Sequence, residues 1–207
     1  MRYLLALLTL FAAGCGSASA PATAEQLGPV ALVQALQEGG LVVYLRHAAT
    51  DRSQEDTQTS DLTRCAGQRN LVAAGRAQAR LIGRSFRALK IPVGDVRSSE
   101  YCRARETAEL AFGDVQLEPD LTGFPNEGDP GFAARVEATR ELLGQEPAAG
   151  ENTVLVAHVK NIEAAAGISI EEGELAIFEP LGNGGFEHLG DIPAAAWPQL
   201  VEELATP

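Results

Sequence analysis

Two short apolar runs, each ending in a histidine, constrain the fold of this chain more than any other feature. They are LVVYLRH at residues 41–47 and NTVLVAH at residues 152–158. A strand that is buried on both faces reads as a continuous apolar run, because neither face meets water. Strands of this kind are typical of parallel sheets covered by helices on both sides, so the two runs predict an α/β fold.

Helical patterns alternate with the strand patterns along the first half of the chain. The segment GPVALVQALQEGG predicts a first helix with Pro29 in its first turn. The segment NLVAAGRAQARLIGRSFRALK has apolar residues at helical spacing and predicts a longer amphipathic helix. Between the first strand and this helix, residues 48–69 are polar and irregular, which is typical of a long loop that either shapes a site or is mobile.

The second half of the chain continues the alternation. DVRSSEY predicts a short strand, after which Ser98 and Ser99 are expected to cap the helix YCRARETAELAF. A further helix is expected from Phe132 to about Leu143, and ELAIFEP with GFEHLGDI predicts a closing hairpin. The whole pattern predicts a three-layer α/β/α sandwich with a mostly parallel central sheet, formed as one domain by residues 27–207.

The N-terminal residues have the pattern of a leader. Residues 1–14 combine a positive start at Arg2, an apolar stretch and small residues before Cys15, which predicts a secretory signal peptide. The stretch is too short for a membrane span. AAGC resembles a bacterial lipoprotein signal, in which Cys15 is lipidated and anchors the protein to a membrane. Cleavage after Ala24 stays open as the alternative.

Either cleavage predicts export, to the periplasm or as a membrane-anchored lipoprotein. Residues 15–26, rich in Ser, Ala, Pro and Thr, are then expected to form a flexible tether. In an oxidising compartment Cys65 and Cys102 form an even pair, because Cys15 is removed or modified. This favours a disulfide between them, and two buried thiols that pack as small apolar side chains are the alternative.

The net charge narrows the range of binding partners. A formal charge of −12 argues against a nucleic acid, or an anionic membrane surface, as the partner of the whole molecule. An anion-binding site in such a protein has to be a local positive pocket.

Basic side chains occur at three of the predicted strand ends. Arg46 and His47 follow the first strand, Arg103 lies in the first turn of a helix that follows another strand, and His158 ends a third strand. Ligands of α/β folds bind outside the carboxyl ends of the strands, where these side chains are expected to converge. The planar guanidinium group of arginine presents forked N–H donors that match the oxygens of a phosphate. Histidine can act as a nucleophile, as an acid or as a ligand of an anion. The sequence thus predicts a pocket for a tetrahedral dianion.

The segments that carry these residues resemble those of the histidine phosphatase superfamily, which includes phosphoglycerate mutase-like enzymes and acid phosphatases. The matching segments, in the order of the family, are YLRHAAT, NLVAAGRAQARLIG, VRSSEYCRARETAELAF and VLVAH. They lie within residues 41–158, more than half of the chain. The resemblance implies a phosphoglycerate mutase-like fold and a phosphatase that acts on a small phosphorylated substrate or another phosphoester.

The resemblance also implies roles for individual residues. His47 would attack phosphorus and form a phosphohistidine that water hydrolyses. Arg46 and Arg103 would hold the equatorial oxygens, and His158 would be the second histidine that contacts the phosphate. No metal or other cofactor is expected, because the Arg and His cluster neutralises the charge of the phosphate.

The sequence departs from the family in three respects. Glycine usually follows each of the two histidines, whereas Ala48 and Val159 stand here. The usual motif around the general acid is missing, and the candidates are Glu174 first and Glu127 second. Lys160 is expected either to contact a polyanionic substrate or to point to solvent.

Further residues before the long helix are candidates for contacting the substrate. Arg69 and Asn70 are both possible contacts, and the alternative for Asn70 is that it caps the helix. His188 is expected to be an exposed residue of the closing hairpin.

Two functions of different classes follow. The first is an exported phosphatase that hydrolyses a phosphomonoester through a phosphohistidine on His47, with a mutase as a variant of this enzyme. The second is a degenerate lipoprotein that binds phosphate or a phosphorylated ligand without turnover, which Val159 and the missing acid motif favour.

Overall fold

The computed structural model describes residues 26–123, 127–128 and 130–205. The predicted signal peptide at residues 1–14 and the predicted lipidation site at Cys15 lie outside the described residues. No helix in the described part of the chain is long and apolar enough to cross a membrane.

A six-stranded sheet forms the centre of the protein, in the order β3-β2-β4-β1-β5-β6. The strands are β1 Val42–Arg46, β2 Val93–Ser98, β3 Gln116–Leu117, β4 Asn152–Ala157, β5 Leu175–Pro180 and β6 Phe186–Ile192. Strands β1 to β4 are parallel, while β5 and β6 form an antiparallel hairpin beside β1. The apolar runs are the adjacent central strands β1 and β4, as the burial of both faces requires.

Helices cover both faces of the sheet. They are α1 Pro29–Glu38, α2 Ala73–Ala88, α3 Cys102–Phe112, α4 Phe132–Leu143, α5 Val159–Ala166 and α6 Trp197–Leu204. Successive residues of β1 point to opposite faces. Val43 packs into a core cluster that includes side chains of α1, α2, α3 and α6, whereas Tyr44 packs into one that includes side chains of α4 and α5. The predicted three-layer α/β/α sandwich and the closing hairpin are therefore confirmed.

Three local predictions are wrong. The residue before α3 is Tyr101, which makes no capping hydrogen bond, so Ser98 and Ser99 do not cap this helix. Val72 precedes α2, and Asn70 is therefore not its cap. His188 is partly buried rather than exposed, because its ring lies 2.9 Å from an oxygen of Asp191.

The long segment between β1 and α2, called here the β1–α2 loop (residues 47–72), is attached to the start of α3. Gln68 is buried, and its side-chain oxygen accepts the N–H of Cys102 at 2.9 Å. The predicted disulfide joins Cys65 of the loop to Cys102. Its two cysteines are 37 positions apart in the sequence, so this bond stabilises the folded state by about 4 kcal/mol in the chain-entropy model. The loop is thereby held beside the carboxyl ends of the strands.

Candidate active site

A cavity of about 380 Å³ opens at the carboxyl ends of β1 and β4. Its lining residues come from strand ends, the β1–α2 loop and the starts of α3 and α5; they are Arg46, His47, Asp56, Arg69, Tyr101, Arg103, Gly123, His158, Val159, Lys160 and Asn161. In the strand register Arg46 lies opposite Ala157, so the two following histidines lie side by side. Their ring centroids are 5.4 Å apart. The structure thus brings together the four residues at which the sequence placed the phosphate site.

The ring of His47 is neutral, and one of its two nitrogens is hydrogen-bonded to the backbone. Its Nδ1 lies 2.9 Å from the carbonyl oxygen of Ala48. Because a carbonyl only accepts hydrogen bonds, Nδ1 carries the proton and Nε2 keeps a lone pair. Burial, and to a lesser extent the charges of nearby arginines, lower the pKa of His47 to about 3. The residue therefore has the tautomer and the charge of a nucleophile at neutral and mildly acidic pH.

His158 is oriented by hydrogen bonds from two other elements. Ser99 Oγ accepts the N–H of Tyr101 at 3.3 Å, so its hydroxyl hydrogen is available to His158 Nε2 at 2.8 Å. The Tyr44 hydroxyl donates to the carbonyl oxygen of His158 at 2.8 Å. Burial, followed by the charge of Arg103, holds the pKa of His158 well below its ordinary value.

The Nδ1 atom of His158 is buried and has no hydrogen-bond partner among the described residues. When Nε2 accepts from Ser99, Nδ1 carries the ring proton of the neutral imidazole and is a donor. A buried donor without a partner costs free energy, which an oxygen of a bound anion would recover.

The arginines of the cavity keep part of their hydrogen-bonding capacity unused. Arg46 donates to the carbonyl oxygen of Ile170 at 2.8 Å and lies 4.0 Å from Glu172, and Arg103 donates to Asp56 at 3.0 Å. The Nε atoms of Arg46, Arg69 and Arg103 are all buried without a partner among the described residues. Buried N–H donors of charged groups favour a charged acceptor, such as a phosphate oxygen.

Burial lowers the pKa of Arg103, and the nearby carboxylate of Asp56 opposes this shift. A guanidinium group stays protonated in proteins despite such shifts, so the cavity keeps its positive charge. The Arg103 guanidinium also lies 4.3 Å from the centroid of the Tyr101 ring, which fixes its plane. Lys160 adds a further cation at the exposed rim. The cavity is thus the local positive pocket that an anion-binding site needs in a protein of negative net charge.

Three residues predicted as candidates do not line the cavity. The side-chain amide of Asn70 donates to Cys65 O at 2.9 Å and to Gln68 O at 2.7 Å, and is used up within the β1–α2 loop. The Glu174 carboxylate turns back to accept the N–H of Glu171 at 2.7 Å. Glu127 is exposed and is not among the described residues that line the cavity. The structure therefore supports neither carboxylate as the proton donor.

The structure shows instead a carboxylate that the sequence did not single out. Asp56 lies in the β1–α2 loop, and its Oδ1 accepts the backbone N–H of Arg69 at 2.8 Å and an N–H of Arg103 at 3.0 Å. Ser99 was also missed as the partner of His158. Neither position belongs to a periodic pattern, and no local sequence signal identifies them.

The two departures from glycine have different consequences. The side chain of Ala48 is fully buried and packs in a small cluster with Leu71 and Ala79, away from the cavity. Val159 is half-buried and lines the cavity as the first residue of α5. Only the second change alters the space that is open to a ligand.

Comparisons with known proteins identify the family that this chain resembles. Residues 42–129 match the model of the histidine phosphatase superfamily (branch 1). No curated protein matches the sequence significantly. The described part of the chain has no group of three or more His, Cys, Asp or Glu side chains arranged to hold a metal ion.

Solved structures of phosphatases share the fold. The protein histidine phosphatase SixA complexed with tungstate superposes with a TM-score of 0.53 at 16% identity, over 75% of this chain and 97% of that chain. Phosphoserine phosphatase from Entamoeba histolytica, in complex with 3-phosphoglyceric acid, gives a TM-score of 0.53 at 14% identity over 74% and 96% of the two chains. The ecdysone phosphate phosphatase from Bombix mori, in complex with tungstate, gives 0.53 at 16% over 75% and 93%. The resemblance to this superfamily and its phosphoglycerate mutase-like fold are confirmed.

Proposed function

We propose that this protein is a phosphatase of the histidine phosphatase superfamily that hydrolyses a phosphomonoester through a phosphohistidine on His47. The observation that carries the proposal is a buried, neutral His47 at a cavity in which three arginines keep unused N–H donors. This combination supplies a nucleophile and a receptor for a dianion in one place.

The first chemical step is attack on phosphorus. The Nε2 lone pair of His47 forms a bond to phosphorus, and the electron pair of the breaking P–O bond goes to the ester oxygen, which leaves with a proton. Arg46, Arg69 and Arg103 donate to the phosphoryl oxygens while negative charge is redistributed. Their charge fills the role that metal ions have in other phosphatases, so the proposed reaction needs no metal.

The second step regenerates the enzyme. The oxygen of a water molecule bonds to phosphorus, the P–N bond breaks, and its electron pair returns to Nε2 of His47. Nδ1 keeps its proton and donates it in a hydrogen bond to the Ala48 carbonyl oxygen throughout, so the imidazole leaves the cycle in the tautomer in which it began.

The substrate class that we propose is a small phosphorylated molecule. A cavity of about 380 Å³ accommodates a phosphate together with a small leaving group. Lys160 at the exposed rim favours a leaving group that carries a negative charge of its own.

A second candidate function is a protein that binds phosphate or a phosphorylated ligand without turnover. Two observations favour it. Val159 takes up space at the cavity, and neither Glu174 nor Glu127 lines it to protonate a leaving group.

Export is also part of the proposal. The leader pattern of residues 1–14 and the lipoprotein-like AAGC support it, as does the Cys65–Cys102 disulfide, because disulfides persist in oxidising compartments. Expressed in a bacterium, the full chain is expected in the membrane fraction, and Cys15→Ser is expected to release it. Recovery of both proteins in the cytosol with free thiols would contradict export.

Hydrolysis of p-nitrophenyl phosphate by residues 26–207, with a metal chelator present, tests the proposed activity. We expect turnover from neutral pH down to about pH 4, since His47 is unprotonated above its pKa of about 3 and protonation below it removes the attacking lone pair. A folded protein that binds inorganic phosphate but releases no p-nitrophenol over this range would instead establish the binding function. Activity that the chelator abolishes would contradict the metal-free mechanism.

A further inference from the structure

Asp56 is the one acidic side chain among the described residues that line the cavity. Its Oδ1 accepts two N–H groups, from the Arg69 backbone and the Arg103 side chain, whereas Oδ2 has no hydrogen-bond partner among the described residues. The side chain is 28% exposed, so solvent and ligands reach it. Oδ1 therefore positions the carboxylate, and Oδ2 is available to interact with a ligand.

The contribution of the Asp56–Arg103 ion pair to folding does not account for a carboxylate at this position. A partly exposed ion pair contributes little to folding, typically about 0–1 kcal/mol. In a cavity built for a dianion, a carboxylate on Arg103 also repels the ligand and competes with it for the guanidinium group. A site that only binds phosphate would be better without it, so the position of Asp56 indicates a chemical role.

We propose that Asp56 is the general acid that protonates the leaving group, an inference that rests on the proposed phosphatase function. The charged and titratable groups near it in the cavity are Arg103, which donates to it, and Arg69 and Tyr101, which line the cavity beside it. When a phosphoryl group binds, its oxygens replace Asp56 as acceptors of the Arg103 N–H groups. Released from Arg103, the Asp56 carboxylate takes up a proton from solvent as the substrate binds, and it then holds that proton for the leaving group.

The proton balance over the two steps is complete. As the P–O bond breaks, the ester oxygen receives the electron pair and takes the proton of the Asp56 carboxyl, which becomes a carboxylate. In the second step this carboxylate takes a proton from the attacking water while the P–N bond breaks and its electrons return to His47. Phosphate leaves, and Asp56 is protonated again. One group therefore serves first as acid and then as base.

The β1–α2 loop holds Asp56 in a fixed position. The N–H groups of Thr57 and Gln58 both donate to the Gly67 carbonyl oxygen, at 2.8 and 3.1 Å. Two residues before Gly67, the disulfide at Cys65 joins the loop to α3. Acid–base catalysis requires this precision, because a donor has to lie within hydrogen-bond reach of the leaving oxygen.

Asp56→Asn tests the proposal, because the amide keeps an oxygen for the Arg69 N–H and loses only the ionisable proton. Single-turnover release of the leaving group isolates the first step. We expect release from an alkyl phosphate to fall by about 10²–10⁴-fold. Release from 2,4-dinitrophenyl phosphate is expected to change less than about 5-fold, since dinitrophenolate leaves without a proton. Glu55→Gln, at the adjacent exposed position, is expected to change neither rate.

The outcomes separate the possible failures. Equal losses on both esters would show a structural role and overturn the proposal, and so would unchanged or faster release from both. Asp56→Glu is a second variant that keeps the carboxyl group, and recovery of alkyl phosphate cleavage in it relative to Asp56→Asn supports the proposal even if the asparagine variant is less stable. A folded parent protein that releases neither leaving group would overturn the phosphatase function itself.

Discussion

His47→Asn is expected to lower kcat for p-nitrophenyl phosphate by at least about 10³-fold, as the loss of a covalent nucleophile does in other enzymes. The asparagine side chain still presents an N–H to the carbonyl oxygen of Ala48, which His47 contacts at 2.9 Å. It has no counterpart of Nε2, so no bond to phosphorus can form. Because the buried hydrogen bond is kept, the variant is expected to fold, and binding of inorganic phosphate is expected to persist. Steady-state kinetics and a phosphate-binding titration measure the two effects.

His188→Asn is the matched control for this variant. His188 lies in β6, is not among the residues lining the cavity and contacts Asp191, so the same substitution there is expected to leave kcat unchanged. Residual activity of His47→Asn within about 10-fold of the parent would contradict the assignment of the nucleophile.

Arg103→Ala is expected to lower kcat/KM by about 10²–10³-fold, the effect typical of removing a donor that stabilises charge in a transition state. Arg103 is held in the cavity by two side chains. Its guanidinium donates to Asp56 at 3.0 Å and stacks on the Tyr101 ring, and its Nε has no partner among the described residues. A bound phosphate would lose this group entirely in the alanine variant.

Arg105→Ala controls for the loss of an arginine from the same helix. Arg105 lies two residues further along α3, forms an ion pair with Glu109 at 3.8 Å and does not line the cavity. Its removal is expected to change kcat/KM less than about 2-fold. Equal losses in the two variants would show that the effect comes from the helix or from net charge, and not from the phosphate site.

The sheet and most helices could be predicted from the sequence because their signals are local. Residues 42–45 of β1 and 154–157 of β4 are apolar at every position, and this pattern has one explanation in an α/β protein, burial on both faces. Arg46, His47 and His158 were predictable for the same reason, since Arg46 ends β1 and the two histidines directly follow β1 and β4.

The rest of the site depends on contacts between distant segments. Asp56 reaches the cavity because Gln68 and the disulfide hold the β1–α2 loop against α3, and no periodicity marks such contacts. Glu174 was expected at the cavity from its position in the chain. Its carboxylate instead accepts the N–H of Glu171, a choice of partner that sequence does not reveal.

The central claim is the covalent bond between His47 and phosphorus, and trapping that intermediate tests it most directly. The protein is mixed for milliseconds with a phosphomonoester and quenched in alkali, because the P–N bond of phosphohistidine survives base and is cleaved by acid. Peptides are then analysed by mass spectrometry. We expect one phosphoryl group on the peptide that contains His47 in the parent and none in His47→Asn. Release of phosphate without any phosphorylated peptide, or with the phosphoryl group on a different residue, would contradict the account.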